Sequence, residues 1–353
     1  MKRILITGGA GFVGSNLAIG LKKEFSSCTV TAFDNLKRLG SEQNVSRLRS
    51  AGVDFVHGDV RVYNDIISAG EFDTLIECSA EPSVAAGYDS APNYLIDTNL
   101  TGMVNCLEAA RTRGANVIFL SSSRVYPKKA LNGLKFSETK TRFELDNDQD
   151  VPGATSAGVS EEFGMSGARS LYGATKLCGE LLLKEYMDAY GMKGIINRCG
   201  VISGPWQMGK VDQGFVALWA AKHLFGGELK YIGFGGSGKQ VRDVLHIDDL
   251  LALIKLQLKS FGKLSGEIFN VGGGLKVSTS LLELTELCRK VTGKKIRITK
   301  EPRTKDYDIK LYVTDNRKIT KMTGWAPKKN MEAVVTDICK WLGKNKERYR
   351  GII

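Results

Sequence analysis

The chain has 353 residues, 42% hydrophobic and 25% charged, with a net charge of +12. That balance is ordinary for a globular protein and gives room for one large domain or two interlocked ones. No apolar run reaches membrane-spanning length, the seven cysteines (28, 78, 106, 178, 199, 288 and 339) contain no C-x-x-C pair, and the three histidines (His57, His223 and His246) form no ligand-like cluster. A membrane protein, a disulfide scaffold and a metal site are therefore not expected. Met1 is followed almost at once by a strand-like run, which leaves no room for a signal or transit peptide, and a reduced cytoplasm is the expected compartment. The positive charge is concentrated: residues 289–350 carry 19 Lys/Arg against 7 Asp/Glu, an excess equal to that of the whole chain. This segment lacks aromatic interleaving and nucleic-acid-binding signatures, so it reads as a solvated basic face that lends one or two residues to an anionic ligand.

In chain order, Ile4–Thr7 reads as a short buried strand. Gly8, Gly11 and Gly14 follow at G-x-x-G-x-x-G spacing, and Phe12, Val13, Leu17 and Leu21 continue as the apolar face of a helix. Strand, tight glycine turn and helix form the setting in which backbone N–H groups and a helix N-terminus receive a pyrophosphate. A second strand, Thr29–Phe33, ends in Asp34, about 20 residues past the last glycine, where an acid accepts the ribose hydroxyls of NAD and repels the 2′-phosphate of NADP. Lys37 and Arg38 lie nearby as residues that could instead serve that phosphate. Asp59 follows a third strand, Asp54–Val56, either on the adenine edge or as a plain turn residue.

Strands at Thr74–Glu77 and Val117–Ser121 and a helix over Asn93–Arg113 continue the alternation. Such alternation predicts an α/β fold: a Rossmann-type doubly wound parallel sheet, with ligands just past the C-terminal strand ends. The polar residues there are Ser79–Glu81 and Ser121–Tyr126. Residues 127–168 lose the pattern, being charged and glycine-rich with an acidic run over Glu144–Asp150, and read as a long surface insertion. A helix over Leu171–Tyr190, a strand over Gly194–Arg198, a break at Gly204-Pro205 and a strand over Ile268–Val271 complete the reading. The domain division expected is 1–200 plus about 241–272 for the dinucleotide-binding domain, with the 127–168 insertion, and about 201–240 plus 273–353 for a smaller C-terminal α/β substrate-binding lobe.

Tyr172 and Lys176 are four apart and share one helix face. An ammonium beside a phenol favours the phenolate, which can take a proton from a sugar or alcohol hydroxyl while hydride leaves for nicotinamide. The pair is weak evidence alone. About 50 residues after a serine cluster at a strand end, and behind a dinucleotide turn, it is strong.

TGGAGFVG (Thr7–Gly14), FDN (Phe33–Asn35), GDV (Gly58–Val60), DTNLTG (Asp97–Gly102), FLSSSRVY (Phe119–Tyr126), YGATK (Tyr172–Lys176), RCGVISGP (Arg198–Pro205) and VRDVLHIDDL (Val241–Leu250) together resemble the extended short-chain dehydrogenase/reductase family, in particular its nucleotide-sugar epimerases and dehydratases. The resemblance runs nearly end to end. It implies Ser122 as the residue that hydrogen-bonds the reacting hydroxyl, Tyr172 as base, and Lys176 as the residue that tunes it and holds the nicotinamide ribose. It implies NAD contacts at Gly8, Gly11, Phe12, Val13, Asp34, Asn35, Asp59, Val60, Ser79, Ala80, Asn99 and Cys199. It places substrate contacts at Ser123, Arg124, Asp212 and Gln213, with Arg242 and Arg303 gripping the diphosphate of a nucleotide-diphosphate sugar. A homodimer through the Asn93–Arg113 and Leu171–Tyr190 helices is also implied, with no nucleic-acid or membrane partner.

The departures from the family pattern narrow the reaction. Dehydratases carry Asp-Glu directly after the catalytic Ser/Thr, where this chain has Ser123 and Arg124, so dehydration is disfavoured. Pro127, Val201 and Glu81 also depart from the usual residues, and Glu81 adds a carboxylate near the nicotinamide end. SETKTRFEL (Ser137–Leu145) and VDQGFV (Val211–Val216) resemble the CDP-tyvelose epimerase branch, which inverts C2 of a CDP-sugar. The expectation is an NAD-dependent epimerase of that kind. A UDP-sugar 4-epimerase, another NAD-dependent nucleotide-sugar oxidoreductase and a non-catalytic dinucleotide sensor stand as alternatives.

Overall fold

A computed structural model describes residues 2–88, 90–211 and 213–346. Five strands open the chain: β1 (Arg3–Thr7), β2 (Thr29–Asp34), β3 (Asp54–His57), β4 (Thr74–Glu77) and β5 (Asn116–Ser122). With strands Gly194–Cys199 and Ile268–Val271 they make one seven-stranded sheet. Its order is Ile268–Val271, Gly194–Cys199, β5, β4, β1, β2, β3. The pairs among β1–β5 are all parallel. Strand order reverses between β1 and β4, and at such a switch point the two flanking loops diverge and leave a crevice.

The apolar strand residues earn this topology. Leu5, Phe33, Leu75, Val117 and Phe119 are buried together with Met103, Leu107 and Leu183 from the covering helices. Each such burial is worth about 1.5–3 kcal/mol. The Leu171–Tyr190 helix has the expected bounds, and its buried stripe includes Lys176 and Glu180 among Gly173, Thr175, Gly179 and Leu183. The helix expected over Asn93–Arg113 is interrupted: Asn93–Ile96 and Gly102–Thr112 are α-helical, and Asp97–Thr101 between them is a π-helical turn.

The chain forms two compact units, 1–125 with 171–198 and 251–269, and 126–170 with 199–250 and 270–353. Residues 127–168 and 241–250, expected with the dinucleotide-binding part, group instead with the second unit. The reason is visible in that unit. Strand Val241–His246 pairs with Val201–Ser203, Ser278–Ser280 and Leu311–Tyr312. Phe143, from the middle of the insertion, is buried with Val241, Leu311 and Val313.

The insertion is also more ordered than its composition suggests. It holds a helix over Lys128–Asn132 and two short antiparallel pairs, Phe136–Glu138 with Phe143–Leu145 and Ala154–Thr155 with Gly158–Val159. A larger core gathers Val216, Trp219, Leu284, Val334, Ile338 and Trp341. Helix Leu281–Thr292 there starts on a reciprocal capping box between Ser280 and Glu283. No helix among the described residues is long and apolar enough to cross a membrane.

Candidate active site

At the switch point, Gly8 has φ +61°, and a Cβ there would lie 2.8 Å from the Cys78 carbonyl oxygen and 2.9 Å from Ser79 Cα. The loop after β4 thus crosses directly against the glycine turn. A Cβ on Gly14 would lie 2.2 Å from the Gly8 carbonyl oxygen, so helix α1 (Phe12–Glu24) can start this close only with glycine there. No side chain caps α1 and no acid sits in its first turn. The opening N–H groups at Phe12 and Val13 therefore face an anion site without an internal competitor.

The half-buried Asp34 closes the end of β2. Its carboxylate accepts the Ala10 N–H at 3.0 Å and the Leu36 N–H at 2.8 Å. Burial pushes this carboxyl up, and those backbone bonds work against the rise. A carboxylate offers about four acceptor positions, so capacity remains for a ribose diol. Asn35 donates to Asp59 at 2.9 Å, and Arg61 pairs with the same carboxylate at 2.6 Å. Partial burial raises the Asp59 carboxyl, but these bonds outweigh it and bring it down to about 2. Val60 is buried beside it. Lys37 lies over the Tyr94 ring, 5.5 Å from its centroid.

Two links bind β4 and the loop after it to the Leu171–Tyr190 helix. Asn99, inside the π-helical turn, accepts the Glu81 N–H at 2.8 Å and donates to the Glu81 carbonyl and to Thr175 Oγ1. Thr175 in turn donates to the Tyr172 carbonyl at 2.9 Å. The Glu81 carboxylate accepts the Ser83 N–H, so it ties its own turn. Ser79 and Ala80 lie in the same loop, and the Ser79 hydroxyl donates to Glu77.

The second link runs through Glu77, which no motif marks. Its carboxylate lies 3.5 Å from Lys176 Nζ, and both side chains are buried. The ammonium also sits 4.8 Å from the centroid of the Phe119 ring. Burial alone would lower Lys176, but the Glu77 charge, with smaller help from Tyr172 and Cys78, raises it above its ordinary value. The signal for Glu77 is present in the sequence only as an acid ending an otherwise apolar strand.

Ser122 ends β5, is buried, and accepts the Arg124 N–H at 3.1 Å. Ser123 opens the short turn Ser123–Val125. Tyr172 is half-buried in the first turn of its helix, which packs on β5 and on that turn. Ser122, Ser123, Arg124, Tyr172, Lys176, Asn99, Asp34 and the glycine turn all lie in the first unit, around the C-terminal strand ends. A phenol, an ammonium and a hydroxyl at strand ends that also carry an anion turn and a diol acceptor can move a proton off a hydroxyl beside a bound dinucleotide.

The remaining expected residues belong to the second unit. Cys199 is buried at the end of its strand. Gln213 and Lys210 close a tight turn by exchanging backbone bonds of 3.2 and 2.7 Å, and Asp212 lies outside the described residues. The Arg242 guanidinium pairs with Asp308 at 2.7 Å and donates to the Val241 and Ile309 carbonyls. Arg303 is exposed after strand Arg297–Glu301. Among the described residues no group of three or more His, Cys, Asp or Glu is placed to hold a metal ion.

The chain is similar to several known proteins. The chain is 32% identical over 347 residues to a CDP-paratose 2-epimerase of Salmonella typhi, covering 96% of this chain and 98% of that protein. It is 26% identical over 349 residues to a dTDP-glucose 4,6-dehydratase of Salmonella typhimurium, covering 96% and 92%. Among solved structures, the UDP-glucose 4-epimerase of Thermus thermophilus, in complex with NAD, superposes with a TM-score of 0.78 at 26% identity, over 99% of this chain and 100% of that one. The family described as NAD dependent epimerase/dehydratase matches residues 4–272, with the glycine turn, the Ser122 strand end and the Tyr172–Lys176 helix all inside the match, and the chain belongs to that family.

Proposed function

We propose that this protein is an NAD-dependent nucleotide-sugar epimerase that inverts C2 of a CDP-sugar such as CDP-paratose. The observation that carries the reaction class is the set of Tyr172, Lys176 and Ser122 at the strand ends that also bear the glycine turn and Asp34. NAD, when bound, supplies a reversible hydride acceptor. Gly8, Gly11, Phe12 and Val13 would hold its pyrophosphate, Asp34 its adenosine ribose, and Lys176 its nicotinamide ribose. Tyr172 takes the proton of the sugar hydroxyl, and Ser122 Oγ holds that oxygen in line. With that proton gone and the carbon's hydride taken up by bound NAD, the carbon would be a planar ketone. Return of both, the proton from Tyr172 and the hydride at the other face, would invert the carbon with no net oxidation.

The substrate reading rests on two supports. Identity to the CDP-paratose 2-epimerase is spread over nearly the whole chain. Positions 123 and 124 are Ser and Arg, which supply no acid–base pair for loss of water. Arg242 and Arg303 are proposed to grip the diphosphate, since a planar guanidinium matches phosphate oxygens in pairs. Exposed Leu171 and Leu181, about 80° apart around the Leu171–Tyr190 helix, support assembly as a homodimer.

A proton NMR time course of CDP-paratose with purified protein and no added cofactor tests the whole reading. Conversion to an equilibrium mixture with CDP-tyvelose is expected. An unchanged spectrum after NAD is supplied would reject the CDP-sugar, and conversion of a UDP-sugar at C4 in the same assay would replace it.

A further inference from the structure

Glu77 is a charge in a row built for apolar side chains. It follows Leu75 and Ile76 in β4, in register with Thr7 of β1 and Phe119 of β5. Its side chain is 3% exposed and that of Lys176 is 4% exposed. Either ion alone in such surroundings is strongly disfavoured, and an apolar residue would fill the same space without that penalty. The neighbouring strand supplies Phe119, whose ring lies under the same ammonium. The two adjacent strands therefore form one seat for Lys176, an acid on one side and a ring face on the other.

We propose that Glu77 is a positioning residue, which fixes the Lys176 ammonium on the Phe119 ring with or without dinucleotide. The proposal rests on the reading of Lys176 as the group that holds the nicotinamide ribose. The groups that face Lys176 are Glu77 at the end of β4, Cys78 just after it, Tyr172 on its own helix, and Cys106 from Gly102–Thr112. Cys106 is driven well up by burial and by Glu77, so it stays a neutral thiol. Glu77 is the largest charge holding Lys176 protonated. Ser79 fastens the other carboxylate oxygen, which keeps the acid turned toward the lysine. Without Glu77, burial would drive Lys176 toward its neutral form, and the ribose would lose a charged donor as pH rises.

The test is NAD binding by equilibrium dialysis against graded NAD from pH 7 to 10 on wild type, Glu77→Gln and Glu77→Asp, a measurement that copurified dinucleotide does not disturb. Wild-type affinity should change less than about twofold up to pH 9, whereas Glu77→Gln should weaken about tenfold for each unit above its lowered lysine pKa. Glu77→Asp, which keeps the charge one methylene short, should fall between. A Glu77→Gln curve that superimposes on wild type would overturn the proposal.

Melting temperatures give a second reading that needs no ligand. Glu77→Gln should melt well below the double variant Glu77→Gln/Lys176→Met, in which neither ion is left alone. Strictly additive losses, or a double variant that fails to fold, would also overturn it. None of these readings uses turnover. A wild-type protein that epimerises nothing would end the functional proposal, yet the NAD and melting curves would still decide this one.

Discussion

The Leu171–Tyr190 helix carries two buried ion pairs one turn apart, and they are built differently. Glu180 meets Arg198 in a fork, with Nη2–Oε2 at 2.7 Å and Nε 3.1 Å from both carboxylate oxygens, and the Ser121 hydroxyl adds a bond of 2.5 Å. Lys176 meets Glu77 through one contact of 3.5 Å. An ammonium has three donors, so Lys176 retains capacity for a ligand. The first pair is saturated and locks the helix to the ends of β5 and Gly194–Cys199. The second is under-filled and lies beside Tyr172. One pair holds the helix still so that the other can work.

The difference can be broken experimentally, and the largest effect belongs to the chemistry. Tyr172→Phe should lower kcat by about 10²–10⁴-fold while leaving the melting temperature near wild type. Turnover by NMR alongside a thermal melt checks both halves, and unimpaired turnover would remove Tyr172 as base. Arg198→Met should do the reverse. It strands Glu180 inside the protein, so urea unfolding should report a loss of about 3–5 kcal/mol. A loss under about 1 kcal/mol would mean that the fork is not the fastening described.

A third buried charge sharpens the contrast through pH. Asp243 is fully buried, and burial pushes its carboxyl up to about 6, against smaller opposing effects of the neighbouring Thr314 and of the Gly274 N–H, which donates to it at 3.1 Å. Its folded-state pKa lies above the ordinary 3.8. The stability it contributes is thus complete below about pH 4 and is lost as pH rises through about 6. That window is worth roughly 3 kcal/mol. Urea midpoints for wild type and Asp243→Asn across pH 4–7 should converge at the acid end and differ in slope above it. Parallel curves would show that Asp243 does not titrate there. The smallest effect is expected at Ser280→Ala, about 1 kcal/mol from the lost cap of Leu281–Thr292, with NAD retention untouched. A change in retained NAD would contradict the assignment of that cap to stability alone.

These residues also show what the sequence could tell. The glycine turn, Asp34 and the Tyr172–Lys176 helix are legible because each is a local pattern with a local cause: a turn that excludes Cβ, an acid at a strand end, two side chains on one face. Asn99 is marked by its motif, but its work is not, because its partners Glu81 and Thr175 lie 18 and 76 residues away. Glu77 escapes because its partner is 99 residues distant and nothing local marks a paired acid from a misplaced one. The 127–168 stretch reads as surface because its many charges hide Phe143, whose burial depends on Val241, Leu311 and Val313. Charge pattern reports what faces water. It says little about a single side chain that a distant strand will cover.

The interleaving of the two units has a consequence for how the chain is made. The first is completed by residues 251–269 and the second begins at residue 126, so the polypeptide passes between them five times. Strands β1–β5 have all emerged by residue 122 and pair only with one another, apart from the edge that β5 offers to Gly194–Cys199. That edge waits through some seventy residues of synthesis, and the last strand, Ile268–Val271, arrives later still. An unpaired parallel edge is a template for wrong partners. On the ribosome, the vulnerable period therefore begins with β5 and ends only when Val271 clears the exit tunnel. Truncation anywhere between those points should yield aggregate rather than a smaller folded protein.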